Sequence, residues 1–428
     1  MSKILAIVLA GGQGKRMDML CYTRPKPALP FAGSFRVIDF SLSNIIHSGI
    51  QDILVLTDYQ RAQMTGYLNH CRTTNAGQVN FEVREPANGS YRGTADAIYQ
   101  NLEYLRKSEA DLVLVLAGDH VYKFDYRKML AFHQQAEADI TIGTVTVPLE
   151  QAHRFGTISA DADCRIVSFV EKTNNPPSNL ASMGIYIFEK NILMKRLLED
   201  ASQPESPHDF GYAILPKMVT RDRVFAYKFD GYWQDIGTKD AYYAANMELI
   251  RQQPSLSLNS HWNILGGNRH SLSVKRLSKG NIQNSLISPD CVIKGRVENS
   301  ILSPGVRVEE NAIVRNSILM SGTLVSRHSI IDHCILDEEV DINECCHLGF
   351  GTAMTPGELG ITVIGRGTIV PAHTAIGRNS RISPDVKPAD FASGIVPRGS
   401  FILPQSVGNT RPGKEEIKEC SMENALRF

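Results

Sequence analysis

From residue 281 onward the chain repeats itself, and no other feature constrains its fold as strongly. The segments NSLISPDCVI, NSILSPGVRV, NSILMSGTLV and HCILDEEVDI begin at Asn284, Asn299, Asn316 and His333, fifteen and then twice seventeen residues apart. Leu286, Ile301, Ile318 and Ile335 take the same place in each, as do Ile293, Val308, Val325 and Ile342. Further on, Ile364, Val370, Ile376 and Ile382 recur every six residues. Repeats this short cannot bury an apolar face alone, so they must stack, and the period predicts a parallel β-helix over 281–400. A β-sandwich with chance spacing is the rival reading; regularity over four consecutive anchors favours the solenoid.

The first 250 residues follow another pattern. Apolar runs at Ile4–Leu9, Asp52–Thr57, Leu112–Ala117, Ile140–Val147, Gly184–Phe188 and Val224–Lys228 predict strands. Amphipathic stretches lie between them: in Ala95–Lys107 the residues Ala95, Ile98, Leu102 and Leu105 share one helical face, and Tyr126–Glu137 is a second helix candidate. This alternation predicts a mixed, mostly parallel sheet covered by helices, with ligands bound beyond the carboxyl ends of the strands. Residues 251–280, with Pro254 and Gly266-Gly267, read as a linker. The tail 401–428 ends in KEEIKECSMENALRF, which reads as a short helix.

Composition excludes several classes. Lys and Arg together number 45, equal to Asp plus Glu, so the net charge of zero argues against nucleic-acid binding by bulk electrostatics and against a polybasic membrane anchor. Lys3 followed by the run Ile4–Ala10 imitates a signal peptide, but the run is short and passes into GGQGKR; a strand buried on both faces is the better reading. The eight cysteines show no CxxC pair and no zinc spacing, as expected of reduced thiols in a cytoplasmic protein.

Five segments carry chemistry. AGGQGKR at 10–16 follows the first strand; its glycines free backbone N–H groups to cradle an anion, and Lys15 and Arg16 add charge. It is neither a Walker A loop nor GxGxxG, and a purely structural turn is the alternative. In RPKPALPF at 24–31, prolines stiffen the loop around Lys26, which suits a phosphate contact, though a solvated lysine is the commoner case. LAGDHVY at 116–122 puts Asp119 at a strand end, where a carboxylate can hold Mg²⁺ or cap the next helix. GYWQDIGT at 231–238 supplies a second carboxylate, Asp235. Two aspartates and a phosphate-binding turn would make a site for phosphoryl or nucleotidyl transfer. Finally, SYRGTADA (90–97), FVEK (169–172) and ASMGIYIF (181–188) hold polar groups suited to a sugar phosphate, although Glu171-Lys172 could equally be an exposed ion pair.

These motifs, in this order, resemble the sugar-nucleotide pyrophosphorylases, in particular their ADP-glucose branch. KPALPFAGSFRVIDFSLSNIIHSGI (26–50), YRGTADAIYQN (91–101), GDHVYKFDY (118–126), HDFG (208–211) and DGYWQDIGTKDAYYAAN (230–246) carry the likeness, which covers about 1–250. The resemblance implies a Rossmann-like nucleotidyltransferase domain (1–250) followed by a left-handed parallel β-helix. It implies the Mg²⁺-dependent reaction of ATP with α-D-glucose 1-phosphate to give ADP-glucose and pyrophosphate, for glycogen or another α-glucan, by a homotetramer. Carried over by position, Gly11, Gly12, Gly14, Arg16 and Gly93 would hold the nucleotide. Arg16, Lys26 and Lys172 would act on the reacting phosphates, and Asp119 and Asp235 would hold Mg²⁺. Tyr91, Gly156, Glu171, Lys172 and Ser182 would form the glucose 1-phosphate site.

The chain departs from family habit at Thr23, Asp58, Ser90 and Thr173. The first three lie in segments tied to activator response, so the resemblance does not carry sugar-phosphate activation to this chain. A different nucleotide or sugar, and a catalytically silent subunit of a hetero-oligomer, are rival readings; Lys26, Asp119, Lys172 and Asp235 are all retained, which speaks against silence. Acyl transfer by the β-helix is a third, with His328, His333, His347 and His373 in the relevant region.

Overall fold

The computed structural model describes residues 2–74, 79–87, 89–258, 262–266, 275–352 and 358–405. The helix expected in the tail lies outside these. Contacts divide the chain into two compact units, the first formed by Met1–Leu277 with Asn284–Pro289, the second by Ser278–Gln283 with the chain from Asp290 onward.

The first unit is a nine-stranded sheet. Its strands are β1 (Ile4–Leu9), β2 (Asp52–Leu56), β3 (Asn80–Arg84), β4 (Leu112–Ala117), β6 (Ile140–Thr146), β7 (Gly156–Ala160), β8 (Ile166–Glu171), β9 (Leu180–Glu189) and β10 (Val224–Lys228). Their order is β8-β7-β9-β4-β1-β2-β3, with β6 on β9 and β10 on β6. A separate ribbon pairs β5 (His120–Tyr122) with β11 (Trp233–Asp235). Pairing is parallel from β4 through β1 and β2 to β3 and antiparallel wherever β9 takes part.

The continuous apolar run of β1 is explained by burial on both faces. Leu5 and Ile7 point into one core with Val113 and Val115, while Ala6 and Val8 point into the other with Leu114 and Leu116. Helices α3 (Thr94–Tyr99), α4 (Leu102–Lys107) and α6 (Lys190–Ala201) cover the first face; α1 (Ile38–His47), α2 (Arg61–Thr74) and α5 (Tyr126–Gln135) cover the second. Ala95–Lys107 is therefore two helices rather than one. The chain breaks at Asn101, whose side chain donates to the Ala97 carbonyl at 2.9 Å, yet Ala95, Ile98, Leu102 and Leu105 still share one core. Strands β3, β7 and β8 escaped the sequence reading because polar residues such as Glu82, Thr157 and Ser168 interrupt their apolar runs.

Residues expected to form a linker pack on the first unit. Trp262 Nε1 donates to Asn44 Oδ1 at 2.9 Å, and the Leu265 N–H donates to Ser43 Oγ at 2.8 Å.

The second unit is a left-handed parallel β-helix with three columns of short strands. One column runs through Ile313–Arg315, Ile330–Asp332 and His347–Phe350, the next through Ile318–Leu319, Cys334–Leu336 and Thr362–Ile364, the third through Arg307–Val308, Leu324–Val325 and Asp341–Ile342. The anchors stack in register: Ile301 on Ile318 on Ile335, and Ile293 on Val308 on Val325 on Ile342. Ile364, Val370 and Ile376 lie on three successive sides, and Ile382 returns to Ile364. Six residues make a side and three sides close a coil.

The corners explain the residues between the anchors. Asn284, Asn299, Asn316 and His333 all adopt positive φ, between 42° and 51°. A second corner uses Asp290, Gly305, Gly322 and Glu339, and a third uses Asn311, His328, Cys345 and His373. Asn, Asp, His and Gly tolerate this left-handed backbone better than most residues.

Candidate active site

The site is built where β1 and β4 end side by side. The Gly118 N–H donates to the Leu9 carbonyl at 2.9 Å, which seats the turn carrying Asp119 next to the glycine turn that follows β1. Asp119 leads into β5 rather than capping a helix; helix α5 is capped by Asp125, which accepts from the Arg127 N–H. Pairing of β5 with β11 sets His120 opposite Asp235, and this ribbon alone brings together two aspartates far apart in the chain.

Between them sits Lys26. It lies in a one-turn helix, Lys26–Ala28, fixed by Pro25 and Pro27, and is only 5% exposed. Its Nζ is 3.1 Å from Asp119 Oδ2 and 3.0 Å from Asp235 Oδ1. Burial pushes the Asp119 carboxyl up, but Lys26 and His120 outweigh it and hold the group at about 2. Asp235 is likewise held below the usual carboxylate range against its burial. Burial also works against the Lys26 ammonium; the two carboxylates more than offset it and raise its pKa. All three groups are therefore ionised at neutral pH.

Two neighbours had been given no role from the sequence. Arg154 Nη2 lies 3.4 Å from Asp235 Oδ2. His120 Nε2 lies 3.6 Å from Asp119 Oδ1, while Nδ1 is fixed 3.1 Å from the Met183 carbonyl, which can only accept. Arg16 reaches the same place: a Cβ on Gly237 would lie 3.0 Å from its Nη2 and 2.9 Å from Asp235 Oδ2.

The glycine turn separates into individual requirements. Gly14 has φ 67°, and a Cβ there would press on Cys21 and on Lys26 at 3.1 Å. A Cβ on Gly11 would sit 2.8 Å from that of Asp58. Gly12 meets nothing within 4 Å, so no protein contact demands its glycine. Asp58, one of the departures, accepts from the Tyr91 N–H at 3.1 Å and so ties Tyr91 to the glycine turn.

The expected sugar-phosphate residues form a second cluster, apart from Tyr91. Gly156 pairs with Glu171 across β7 and β8, and a Cβ on Gly156 would lie 2.5 Å from Glu171 Oε2. Lys172 Nζ is 3.0 Å from Glu171 Oε1, with half of its side chain exposed to solvent. Ser182 Oγ is 3.3 Å from the Tyr186 hydroxyl, across a bulge centred on Gly184 at φ 68°. Tyr186, whose phenol burial keeps neutral, was not singled out in the sequence; nor was Asp209, which accepts from the Gly211 and Tyr212 N–H groups. The bottom of this cluster is Gly211, where a Cβ would lie 2.6 Å from Glu171 Cδ.

Three of the four β-helix histidines have a different explanation, while His347 opens the strand His347–Phe350. His328, His333 and His373 hold left-handed corners, and His333 also contacts Asp332 and Arg378. Backbone geometry accounts for them without catalysis.

A sheet with a glycine turn, a Lys26–Asp119–Asp235 cluster and a neighbouring cluster of polar side chains fits a phosphate-handling α/β enzyme. Residues 5–252 match the family described as nucleotidyl transferase, and residues 271–358 match the GlmU-like C-terminal hexapeptide family. The chain belongs to the nucleotidyl transferase family and is a nucleotidyltransferase. It is 41% identical, over 94% of its length and 98% of the relative's, to the glucose-1-phosphate adenylyltransferase of Thermomicrobium roseum. The enzymes of that name from Pseudothermotoga lettingae and Acetivibrio thermocellus are 40% and 39% identical over 94% and 91% of the chain, and 99% and 95% of their own. No helix among the described residues is long and apolar enough to cross a membrane.

Proposed function

We propose that this chain is a glucose-1-phosphate adenylyltransferase, joining the adenylyl group of ATP to the phosphate of α-D-glucose 1-phosphate and releasing pyrophosphate. The observation that carries the reading is Lys26 braced between two ionised aspartates beyond the ends of β1 and β4, beside a glycine turn. The names of the relatives supply the substrates.

In the reaction an oxygen of the sugar phosphate attacks the α-phosphorus of ATP. The bond from that phosphorus to the bridging oxygen breaks, and its electrons leave with pyrophosphate. The nucleophile is already an anion, so no general base is required, and catalysis rests on alignment and charge neutralisation. Backbone N–H groups of the Gly11–Gly14 turn and the Arg16 guanidinium bind the nucleotide phosphates, with Gly93 allowing close approach. Lys26 stabilises charge gathering on the transferred phosphoryl group. Lys172 pairs with the sugar phosphate, Glu171 and Ser182 accept from or donate to sugar hydroxyls, and Gly156 leaves room for them. Tyr91, tied to Asp58, fits the boundary between the two substrates.

Asp119 and Asp235 suit Mg²⁺. Both are carboxylates, both stay ionised, and they converge on a point where a cation, the Lys26 ammonium, is already stabilised. Among the described residues no third acidic, histidine or cysteine ligand completes a cage. That agrees with an ion that keeps waters and takes the rest of its shell from phosphates. When bound it would neutralise phosphate charge. On the family resemblance we further propose a cytoplasmic homotetramer serving glycogen or another α-glucan.

The test is pyrophosphate release by purified protein with Mg²⁺, over ATP, UTP, dTTP, GTP and CTP against glucose, mannose and N-acetylglucosamine 1-phosphates. Dominant turnover of ATP with glucose 1-phosphate, lost in Asp119→Ala, is expected. Dominance of another pair would overturn the substrates, and absence of turnover by folded protein would overturn the catalytic reading.

A further inference from the structure

We propose that Asp200 and His208 are positioning residues for the active site, holding the loop 207–211 in the path that joins the nucleotide wall at Gly93 to the sugar-phosphate floor under Glu171. This rests on the reaction proposed above for its substrate, but its geometry stands independently.

Asp200 lies in the last turn of α6 and His208 follows eight residues later; they are 5% and 3% exposed. A carboxylate buried at the negative end of a helix dipole is unfavourable unless it is bonded. Asp200 is bonded twice from the loop: His208 Nδ1 donates to Oδ2 at 2.8 Å, and Ser206 Oγ donates to Oδ1 at 2.5 Å. Ser206 Oγ in turn accepts from the His208 N–H at 3.1 Å. The three residues close a ring, and within it His208 adopts a left-handed backbone with φ 51°. A non-glycine residue persists there only when its surroundings over-determine it.

The strained conformation turns the His208 carbonyl onto the start of α3. That carbonyl accepts from the Ala95 N–H at 2.9 Å and the Asp96 N–H at 3.2 Å. It replaces a side-chain cap that Gly93, at the N-cap, cannot supply. Approach is so close that a Cβ on Gly93 would sit 2.4 Å from the His208 oxygen. On the other side of His208, Thr94 Oγ1 donates to Asp209 Oδ2 at 2.8 Å, and the ring of Phe210 stacks on Tyr186 with centroids 5.9 Å apart. Gly211 then closes against Glu171. One buried ring thus sets two walls of the site. Among the described residues its side chains touch none of Lys26, Asp119 or Asp235, so its effect belongs to substrate placement rather than to the chemical step.

His208→Ala, His208→Asn and Asp200→Asn test this in the full-length enzyme. Asn keeps an N–H donor near the place of Nδ1 and tolerates the left-handed backbone. His208→Ala should raise KM for glucose 1-phosphate about tenfold, with kcat within about threefold of the parent, and His208→Asn should restore most of that KM. Asp200→Asn keeps the shape and should shift KM in the same direction, so the test survives if the alanine variant fails to fold. Hydrogen exchange supplies a readout independent of turnover: the amides of Ala95 and Asp96 should exchange faster in His208→Ala and not in His208→Asn. Unchanged KM, or exchange spread evenly over the domain with a lowered Tm, would make the pair merely structural and overturn the proposal. Absence of parent turnover with exchange localised at α3 would leave the positioning geometry standing and sink only the assigned reaction.

Discussion

At the scale of single residues the site is an arrangement of charges that cannot be removed one at a time without cost. Lys26 is buried with its ammonium bonded to two carboxylates. Lys26→Met should lower kcat by about 10² or more, as loss of a preorganised charge does. It should also destabilise the fold by about 3 kcal/mol, because Asp235, 8% exposed, is left without its main counter-charge. Adding Asp235→Asn should recover part of that stability but none of the activity; additive losses in denaturant titrations would contradict the coupling. Asp39 is a second buried charge, away from the chemistry. It is fully buried in the first turn of α1, where Tyr67 donates to both of its oxygens at 2.7 Å. Burial nevertheless pushes its carboxyl up to about 6. The folded state therefore holds a proton that the unfolded state releases near 4, so this group's contribution to stability falls as pH rises from about 4 to about 6. The total for a shift of this size is about 3 kcal/mol. Asp39→Asn should lack this component, and the Tm difference between variant and parent should change across pH 4–6.5 and flatten above it. A constant difference would show that Asp39 does not titrate there.

Elements of the β-helix are governed by their corners. Asn311 is exposed and holds φ 61°. Asn311→Gly should leave stability within about 0.5 kcal/mol, whereas Asn311→Val should cost about 1–2 kcal/mol, since a β-branched residue pays the left-handed penalty in full. Equal stabilities in urea would remove the conformational explanation for the Asn, Asp and His pattern. The same reasoning shows why the anchors were legible and the corners were not. Ile301, Ile318 and Ile335 recur as one residue type because a dry core accepts only apolar side chains. The corner positions accept Asn, Asp, His, Gly and even Glu339 and Cys345, because what they share is a backbone angle. In the sheet unit, the apolar face of Ala95–Lys107 was readable, but its break at Asn101 depends on a side chain bonding back to the Ala97 carbonyl.

For the whole molecule, the division into two units makes a calorimetric prediction. Unfolding should occur in two transitions, and Mg²⁺ with ATP at about 100 times the Kd should stabilise the one belonging to the sheet unit by about 2.7 kcal/mol. Scanning calorimetry with and without ligand distinguishes this from a single cooperative transition, or from equal shifts of both. The glycine turn, Asp119 and Lys26 all lie within the first 120 residues and were visible as motifs. Arg154 lay outside every motif, and His120 and Tyr186 sat inside two of them without a role, because a lone Arg, His or Tyr shows none until a fold gives it neighbours.

The chain's own order of residues therefore determined the two folding regimes and marked Lys26, Asp119 and Asp235 as charges worth following, whereas the division between the units, at Leu277 rather than near residue 250, came from packing. These follow from periodicity and local chemistry, which act over a few residues at a time. Tertiary structure decided the rest. It placed Asp235 beside Asp119 through the β5–β11 ribbon, set Lys26 between them, and turned the His208 carbonyl onto α3. Those arrangements arise from hydrogen bonds and ion pairs between residues up to 209 positions apart, and such pairings come into existence only once the chain has folded.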